Sequence, residues 1–274
     1  MELYINKDTQ LCMSLSGRPG NTGTRFHNYL YRELGLNYVY KAFSTKDLPG
    51  VITGIRALGI RGCAVSMPFK EDCMMLLDEI DPSAADIQSV NTIVNTDGSL
   101  KGYNTDYIAV YSLLKSHAIT PKLEFALRGS GGMAKAVACA LYNAGFTRGT
   151  ILARNEKAGT ALAAHYGYNW KPDLATDDTP GLLINVTPIG MAGGSEAEVL
   201  PFTEAEVRVA KCVFDVVALP PETPLIRIAR SLGKPVISGA EVMTLQAVEQ
   251  FVLYTGRRPE PESVERAAKF ARQA

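Results

Sequence analysis

One short segment, residues 123–136, limits the fold more than any other part of this chain. An apolar run, LEFALR, ends in the glycine-rich sequence GSGG, and a helical pattern of apolar residues follows directly. Gly129 permits a tight turn, and Gly131 leaves out a side chain where a ligand would approach the backbone. Ala134, at the third position of the G-x-G-x-x-A pattern, lets helix and strand pack closely. The segment therefore predicts a strand, a turn and a helix whose first N–H groups face outward.

A turn of this kind is typical of dinucleotide-binding sites, because the N–H groups and the positive end of the helix dipole face the pyrophosphate. The alternative is a glycine-rich connection without a ligand. The predicted cofactor-binding residues of the turn are Gly129, Ser130, Gly131, Gly132, Met133 and Ala134.

The end of the next strand indicates which dinucleotide is bound. NAD sites tend to place an acid there for the ribose 2′-hydroxyl. This chain instead has Arg154 and Asn155, which we predict to bind cofactor. A guanidinium pairs with a 2′-phosphate, so the sequence favours NADP over NAD. Glu156 argues the other way, and a solvated surface role for Arg154 stays open.

Composition excludes several classes of function. The 28 basic and 28 acidic residues balance without a long run of either sign, which argues against nucleic acid or a membrane surface as partner. The five cysteines are scattered and form no C-x-x-C pair, so we expect buried thiols rather than disulfides or a zinc site. The three histidines are too dispersed to predict a metal. Without an apolar signal segment or membrane span, a cytoplasmic protein is expected.

Alternating strands and helices predict an α/β protein with parallel sheets covered on both faces. We expect one α/β domain over residues 1–107, a Rossmann-type doubly wound domain over 108–238, and C-terminal helices over 239–274 that pack on the first domain. Within the first domain, Thr22 or Thr24 is expected to cap a helix, residues 69–77 to form another, and residues 90–103 to form a hairpin.

Polar residues in the first domain suggest chemistry. Ser14 and Ser16, two apart on a strand, face the same side and offer hydroxyl donors for a carboxylate. Lys70 and Asp106 form a potential pair for proton transfer, and Asn91 offers an amide. Each also has a structural alternative: Asp106 as a helix N-cap, Lys70 as a solvated side chain, and the others in turns.

The order of several motifs resembles the shikimate/quinate dehydrogenase family along nearly the whole chain. The similar segments are SLS at 14–16, HN at 27–28, VSMPFK at 65–70, SVNT at 89–92, GYNTD at 102–106, GSGG at 129–132, ARN at 153–155, NVTPIGM at 185–191, and Gly239 with Gln246.

The resemblance implies an NADP-dependent oxidoreductase of the shikimate pathway of aromatic amino acid biosynthesis. It would interconvert shikimate, or a quinate-like cyclic hydroxy acid, and its 3-dehydro ketone as a monomer or homodimer. By resemblance, Lys70 is the acid/base and Asp106 orients and shares the proton. Ser14 and Ser16 would bind the substrate carboxylate, and Ser66, Asn91 and Gln246 would bind its remaining polar groups. Thr187 and Met191 would line the cofactor cleft, with Val216 and Gly239 near the nicotinamide.

Departures from the family pattern concern substrate recognition. Ala218 stands where the family has a tyrosine, Ser66 replaces a threonine, and the gap between Ser16 and His27 is longer. Loss of a buried hydroxyl donor typically costs ~1–3 kcal/mol, which predicts a divergent member with weakened shikimate binding. Two other functions stay open: a non-catalytic ligand or NADP sensor on the same fold, and a folate-type methylene dehydrogenase.

Overall fold

The computed structural model describes residues 5–273 of the chain. Two compact units make up the fold. The first unit consists of the residues up to Thr105 together with those from Thr244 onward, and the second unit runs from Asp106 to Met243. Two helices run across these boundaries: α4, Thr105–Ser116, and α9, Gly239–Thr255.

The first unit contains a six-stranded sheet with the order β2-β1-β3-β5-β6-β4. Its strands are β1 (Gln10–Leu15), β2 (Tyr38–Phe43), β3 (Gly62–Val65), β4 (Glu79–Ile80), β5 (Thr92–Thr96) and β6 (Ser99–Tyr103). Its other helices are α1 (Thr22–Glu33), α2 (Leu48–Ala57), α3 (Pro82–Ala85) and α10 (Pro261–Arg272). β1 pairs in parallel with β2 and β3, but β5 is antiparallel to both β3 and β6. This sheet is mixed rather than parallel.

The hairpin prediction for residues 90–103 is confirmed. Asp97 and Gly98 connect β5 to β6 with positive φ values of 51° and 90°. A two-residue turn of this type suits the twist of an antiparallel pair, which explains the Asp-Gly sequence.

Two local predictions in this unit are wrong. Residues 69–77 form only a short 3-10 helix, Asp72–Leu76, because the Lys70 carbonyl accepts from Val90 N at 2.8 Å instead of from the next helical turn. Neither Thr22 nor Thr24 is the N-cap of α1. That position is Asn21, whose side chain makes no capping hydrogen bond.

The C-terminal helices belong to the core of the first unit. Apolar residues of α1, including Phe26, Leu30 and Tyr31, form one buried cluster with Phe251 of α9 and Ala267 of α10. Small residues on α10 permit this close helix packing.

The second unit contains an entirely parallel sheet with the order β12-β11-β10-β7-β8-β9. Its strands are β7 (Phe125–Arg128), β8 (Gly149–Leu152), β9 (Asn169–Lys171), β10 (Leu182–Asn185), β11 (Cys212–Asp215) and β12 (Val236–Ser238). Its helices include α5 (Gly132–Asn143), α6 (Glu156–Tyr166), α7 (Glu204–Val209) and α8 (Pro224–Ser231). The predicted α/β class with a doubly wound sheet is confirmed.

All five cysteines are buried and free, as the scattered spacing predicted. Within residues 5–273, no helix is both long and apolar enough to cross a bilayer. Over the same residues, no group of three or more His, Cys, Asp or Glu side chains is arranged to hold a metal ion.

Candidate functional site

Three predicted serines lie at one edge of the first sheet, where β1 and β3 end. Ser14 is half-buried in β1, and Ser16 follows the strand. Ser66 N donates to Leu15 O at 2.9 Å, which carries Ser66 to the same edge. Burial raises the pKa of the Tyr40 hydroxyl, and the Ser14 hydroxyl acts in the opposite direction. Ser16 is half-buried and Ser66 exposed, so hydroxyl groups line this edge as the alternation of the strand predicts.

Asn91 is fully buried at the start of β5 and uses its two amide atoms differently. Its Oδ1 accepts from Thr105 N at 2.8 Å, from Thr105 Oγ1 at 3.1 Å and from Thr92 Oγ1 at 2.9 Å. Its Nδ2 is buried and has no hydrogen-bond partner within residues 5–273. An unpaired buried donor costs about 1–3 kcal/mol, and a catalytic role is one explanation for such a group.

The two predicted acid/base residues belong to different units of the fold. Lys70 is half-buried in the first unit, and the Val90 N–H holds its backbone carbonyl at 2.8 Å. Asp106 belongs to the second unit and is 6% exposed. It lies in the first turn of α4 rather than at the N-cap, where the helix dipole favours a carboxylate.

Gln246 is half-buried on α9, and a second glutamine one turn later was missed. Gln250 is 6% exposed and its Nε2 donates to Thr92 Oγ1 at 3.2 Å. The i, i+4 spacing of the two glutamines could have shown that they share one helix face.

His27 is the centre of an aromatic cluster that the sequence did not predict. Its ring stacks on Tyr40 with centroids 4.4 Å apart and lies 5.9 Å from Tyr254 and 6.3 Å from Phe251. Burial lowers the pKa of His27 to about 3. Gln250 opposes this shift only weakly, since neither ring nitrogen makes a hydrogen bond of normal geometry within the described chain.

The glycine-rich turn of the second unit has the geometry predicted for a phosphate site. Gly129 has φ 130°, and a Cβ there would lie 2.7 Å from Val186 Cγ2. Gly131 is the extended N-cap of α5 and provides no side-chain cap, and a Cβ added to it would meet nothing within 4 Å. Ala134 is fully buried against the sheet. Ser130, Gly132 and Met133 complete the turn. Open space before an uncapped helix N-terminus fits a pyrophosphate.

Arg154 and Asn155 follow β8 and differ in their availability. The Arg154 side chain is 83% exposed. Asn155 Oδ1 accepts from Ala158 N at 3.1 Å and so caps α6. Its side-chain oxygen therefore has a structural role, whereas the Arg154 side chain is largely exposed.

A polar network, of which only Thr187 was a predicted site residue, holds the loops after β10 and β11. Asn185 Nδ2 donates to Asp215 Oδ1 at 3.0 Å, and Thr187 Oγ1 donates to Asn185 Oδ1 at 2.6 Å. Thr223 Oγ1 donates to Asp215 Oδ2 at 2.6 Å. Burial raises the pKa of Asp215 despite these bonds. The signal in the sequence was a single polar residue at the end of each buried strand.

Of the remaining predicted cofactor residues, Met191 and Val216 lie on these loops, and Gly239 is the first residue of α9 after β12. Val216 N donates to Asn185 O at 3.0 Å, and Met191 is 43% exposed. Gly239 packs against the backbone after β11, since an added Cβ would lie 2.4 Å from the Val216 carbonyl oxygen. A side chain at Gly239 would therefore displace Val216.

All these cofactor candidates lie at the carboxyl edge of the parallel sheet. β7 is paired with β10 on one side and β8 on the other, so the chain reverses its direction of winding there. Open α/β sheets bind ligands in the crevice at such a switch point. The second unit thus has the architecture and the turn of a dinucleotide-binding domain.

Comparisons with known proteins agree with this class. A family model described as the shikimate dehydrogenase substrate binding domain matches residues 22–93. A shikimate dehydrogenase-like protein of Haemophilus influenzae is 58% identical over 98% of each chain. A shikimate dehydrogenase (NADP(+)) of Halothermothrix orenii is 35% identical over 85% of this chain and 86% of its own. The solved shikimate 5-dehydrogenase of Thermus thermophilus, in complex with NADP(H) and shikimate, has a TM-score of 0.84 at 29% identity, covering 96% of this chain and 100% of its own. The chain therefore belongs to the shikimate dehydrogenase family, as its ordered motifs predicted.

Proposed function

We propose that this protein is an NADP-dependent oxidoreductase that interconverts shikimate, or a quinate-like cyclic hydroxy acid, and its 3-dehydro ketone. The observation that carries the proposal is family membership over the whole chain together with Lys70 and Asp106 at the family's motif positions. The uncapped N-terminus of α5 and the exposed Arg154 support NADP as the cofactor.

The residues have separable roles in this reaction. Bound NADP supplies the hydride acceptor at its nicotinamide ring. Lys70 takes the proton from the substrate hydroxyl, while Asp106 orients that proton and shares it. Ser14 and Ser16 hold the substrate carboxylate, and the unpaired Asn91 Nδ2 supports a role for this amide at a substrate hydroxyl.

Substrate choice depends on further polar groups of the first unit. Ser66 and Gln246 bind the remaining polar groups of the substrate. Ala218 offers no hydroxyl where the family has tyrosine, so we expect shikimate to be bound more weakly than by family members with that tyrosine. Thr187 and Met191 line the cofactor cleft, and Val216 and Gly239 lie near the nicotinamide.

Turnover with a panel of cyclic hydroxy acids tests this function. The purified protein is mixed with NADP or NAD and, separately, with shikimate, quinate and related acids, and the reduced nicotinamide is followed by its near-ultraviolet absorbance. We expect reduction of NADP with at least one acid of this class. Binding of NADP and shikimate without turnover of any acid would instead establish the ligand-sensing alternative.

A further inference from the structure

A second charged residue lies beside the arginine that we expect to meet the cofactor. Glu196 Oε1 is 4.0 Å from Arg154 Nη1. The two residues are far apart in sequence, on the loops that follow β10 and β8. The Glu196 side chain is 39% exposed, whereas that of Arg154 is 83% exposed.

The backbone fixes the position of Glu196. Its carbonyl oxygen accepts from Gly190 N at 2.9 Å and from Val199 N at 3.1 Å, which closes the loop on itself. Ala192 N also donates to Leu219 O at 2.9 Å, which ties this loop to the one after β11. The carboxylate is therefore presented to Arg154 by an anchored loop.

This pairing changes the charge that a cofactor meets. Glu156 and Lys157 at the start of α6 are both exposed and offset each other in formal charge. The negative charge of Glu196 in turn offsets the positive charge of Arg154. The 2′-phosphate of NADP carries nearly two negative charges and pairs best with a guanidinium that has no other partner. The 2′-hydroxyl of NAD can instead donate a hydrogen bond to a carboxylate.

We infer that Glu196 is a specificity-determining residue, which competes with the 2′-phosphate of NADP for Arg154 and so narrows the preference for NADP over NAD. This inference rests on the proposed function, because it places the adenosine ribose of the cofactor beside Arg154. Glu196 lies outside the predicted cofactor motifs at residues 129–134 and 153–155.

Binding of the two dinucleotides to the full chain, without substrate, tests this role. Calorimetric titrations with NADP and with NAD compare the wild type with Glu196→Gln. The control is Glu198→Gln on the same loop, since Glu198 Oε2 pairs with Arg227 Nη2 at 3.3 Å and not with Arg154. We expect Glu196→Gln to tighten NADP binding about two- to fivefold, the range of an exposed ion pair. The affinity for NAD should change less, and Glu198→Gln should leave both affinities as in the wild type.

Two further outcomes separate this inference from the proposed function. If Arg154→Gln weakens NADP binding but Glu196→Gln leaves it unchanged, Glu196 does not compete and the inference is wrong, while the NADP site stands. If the wild type binds neither dinucleotide, the proposed function fails and the inference fails with it. Increased salt should shrink the gain from Glu196→Gln, because the competition is between exposed charges.

Discussion

At the residue scale, Asn91 shows how the two polar atoms of one amide can be placed differently. Its oxygen accepts three hydrogen bonds from Thr92 and Thr105, which fixes the amide orientation. The opposite atom, Nδ2, is buried without a partner in the described chain. The sequence predicted Asn91 because it lies at the start of a strand within a motif. The division of its two atoms could not be predicted, since it depends on where Thr105 meets the strand.

His27 illustrates the opposite case, a motif residue whose observed contacts are structural. His27 was noted as part of the HN motif at residues 27–28. Its stacking on Tyr40, which joins α1 to β2, has no local sequence signal. A fully buried imidazole should also make the first unit sensitive to acid.

We predict that His27 destabilises the fold as pH falls. The folded pKa is about 3 and the ordinary value is 6.5, so the stability is complete above pH 6.5 and is lost as pH falls towards 3. Each pH unit in this window costs up to about 1.4 kcal/mol for one proton. His27→Phe, which keeps the aromatic stacking, should flatten this dependence in urea unfolding measured across the window. The control His165→Gln changes an exposed histidine and should keep the wild-type slope. Parallel pH dependences for His27→Phe and the wild type would contradict this explanation.

At the element scale, the loops that carry the cofactor candidates depend on buried polar contacts rather than on apolar packing. Asn185, Asp215 and Thr223 are each fully buried. Together they connect the ends of β10 and β11 to the start of α8. These bonds hold together the loops at the carboxyl edge of the parallel sheet, where the cofactor candidates lie.

Removal of one hydroxyl tests this network. Thr223 Oγ1 donates to Asp215 at 2.6 Å and accepts from Ile226 N at 3.2 Å as the N-cap of α8. Thr223→Val keeps the shape but loses both bonds, so we expect the free energy of unfolding to fall by about 2–4 kcal/mol. Thr223→Ser keeps the hydroxyl and should cost much less. Urea unfolding of both variants measures the difference, and equal losses would show that the methyl packing matters rather than the network.

Strands that are continuous apolar runs were predictable, and elements without such a run were not. β7, β10 and β11 are largely buried strands of four residues that end at a polar or glycine-rich turn. β4, α3, β9 and α7 were missed, because none of them is a continuous apolar run bounded by turn residues. The segment after Lys70 was predicted as an ordinary helix. The sequence does not show that the Val90 N–H donates a hydrogen bond to the Lys70 carbonyl oxygen.

At the scale of the whole molecule, the order of the motifs predicted more than their chemistry alone. The glycine-rich turn gave the class of the second unit, and the combination of SLS, VSMPFK, SVNT and GYNTD gave the family. Substrate choice was not predictable to the same degree. It depends on single positions such as Ala218 and Ser66, where a missing or altered side chain does not name the ligand that fits.

We propose that Lys70 moves the proton in a hydroxy-acid oxidation that reduces NADP. The most direct measurement compares the rate of NADP reduction by wild type and Lys70→Ala at saturating hydroxy acid, with NADP affinity measured on both. Lys41→Ala, an exposed lysine of the same unit, is the control. We predict a fall of at least about 100-fold for Lys70→Ala, as expected for loss of a general base, with NADP affinity unchanged. A Lys70→Ala rate within a few-fold of the wild type would contradict the account.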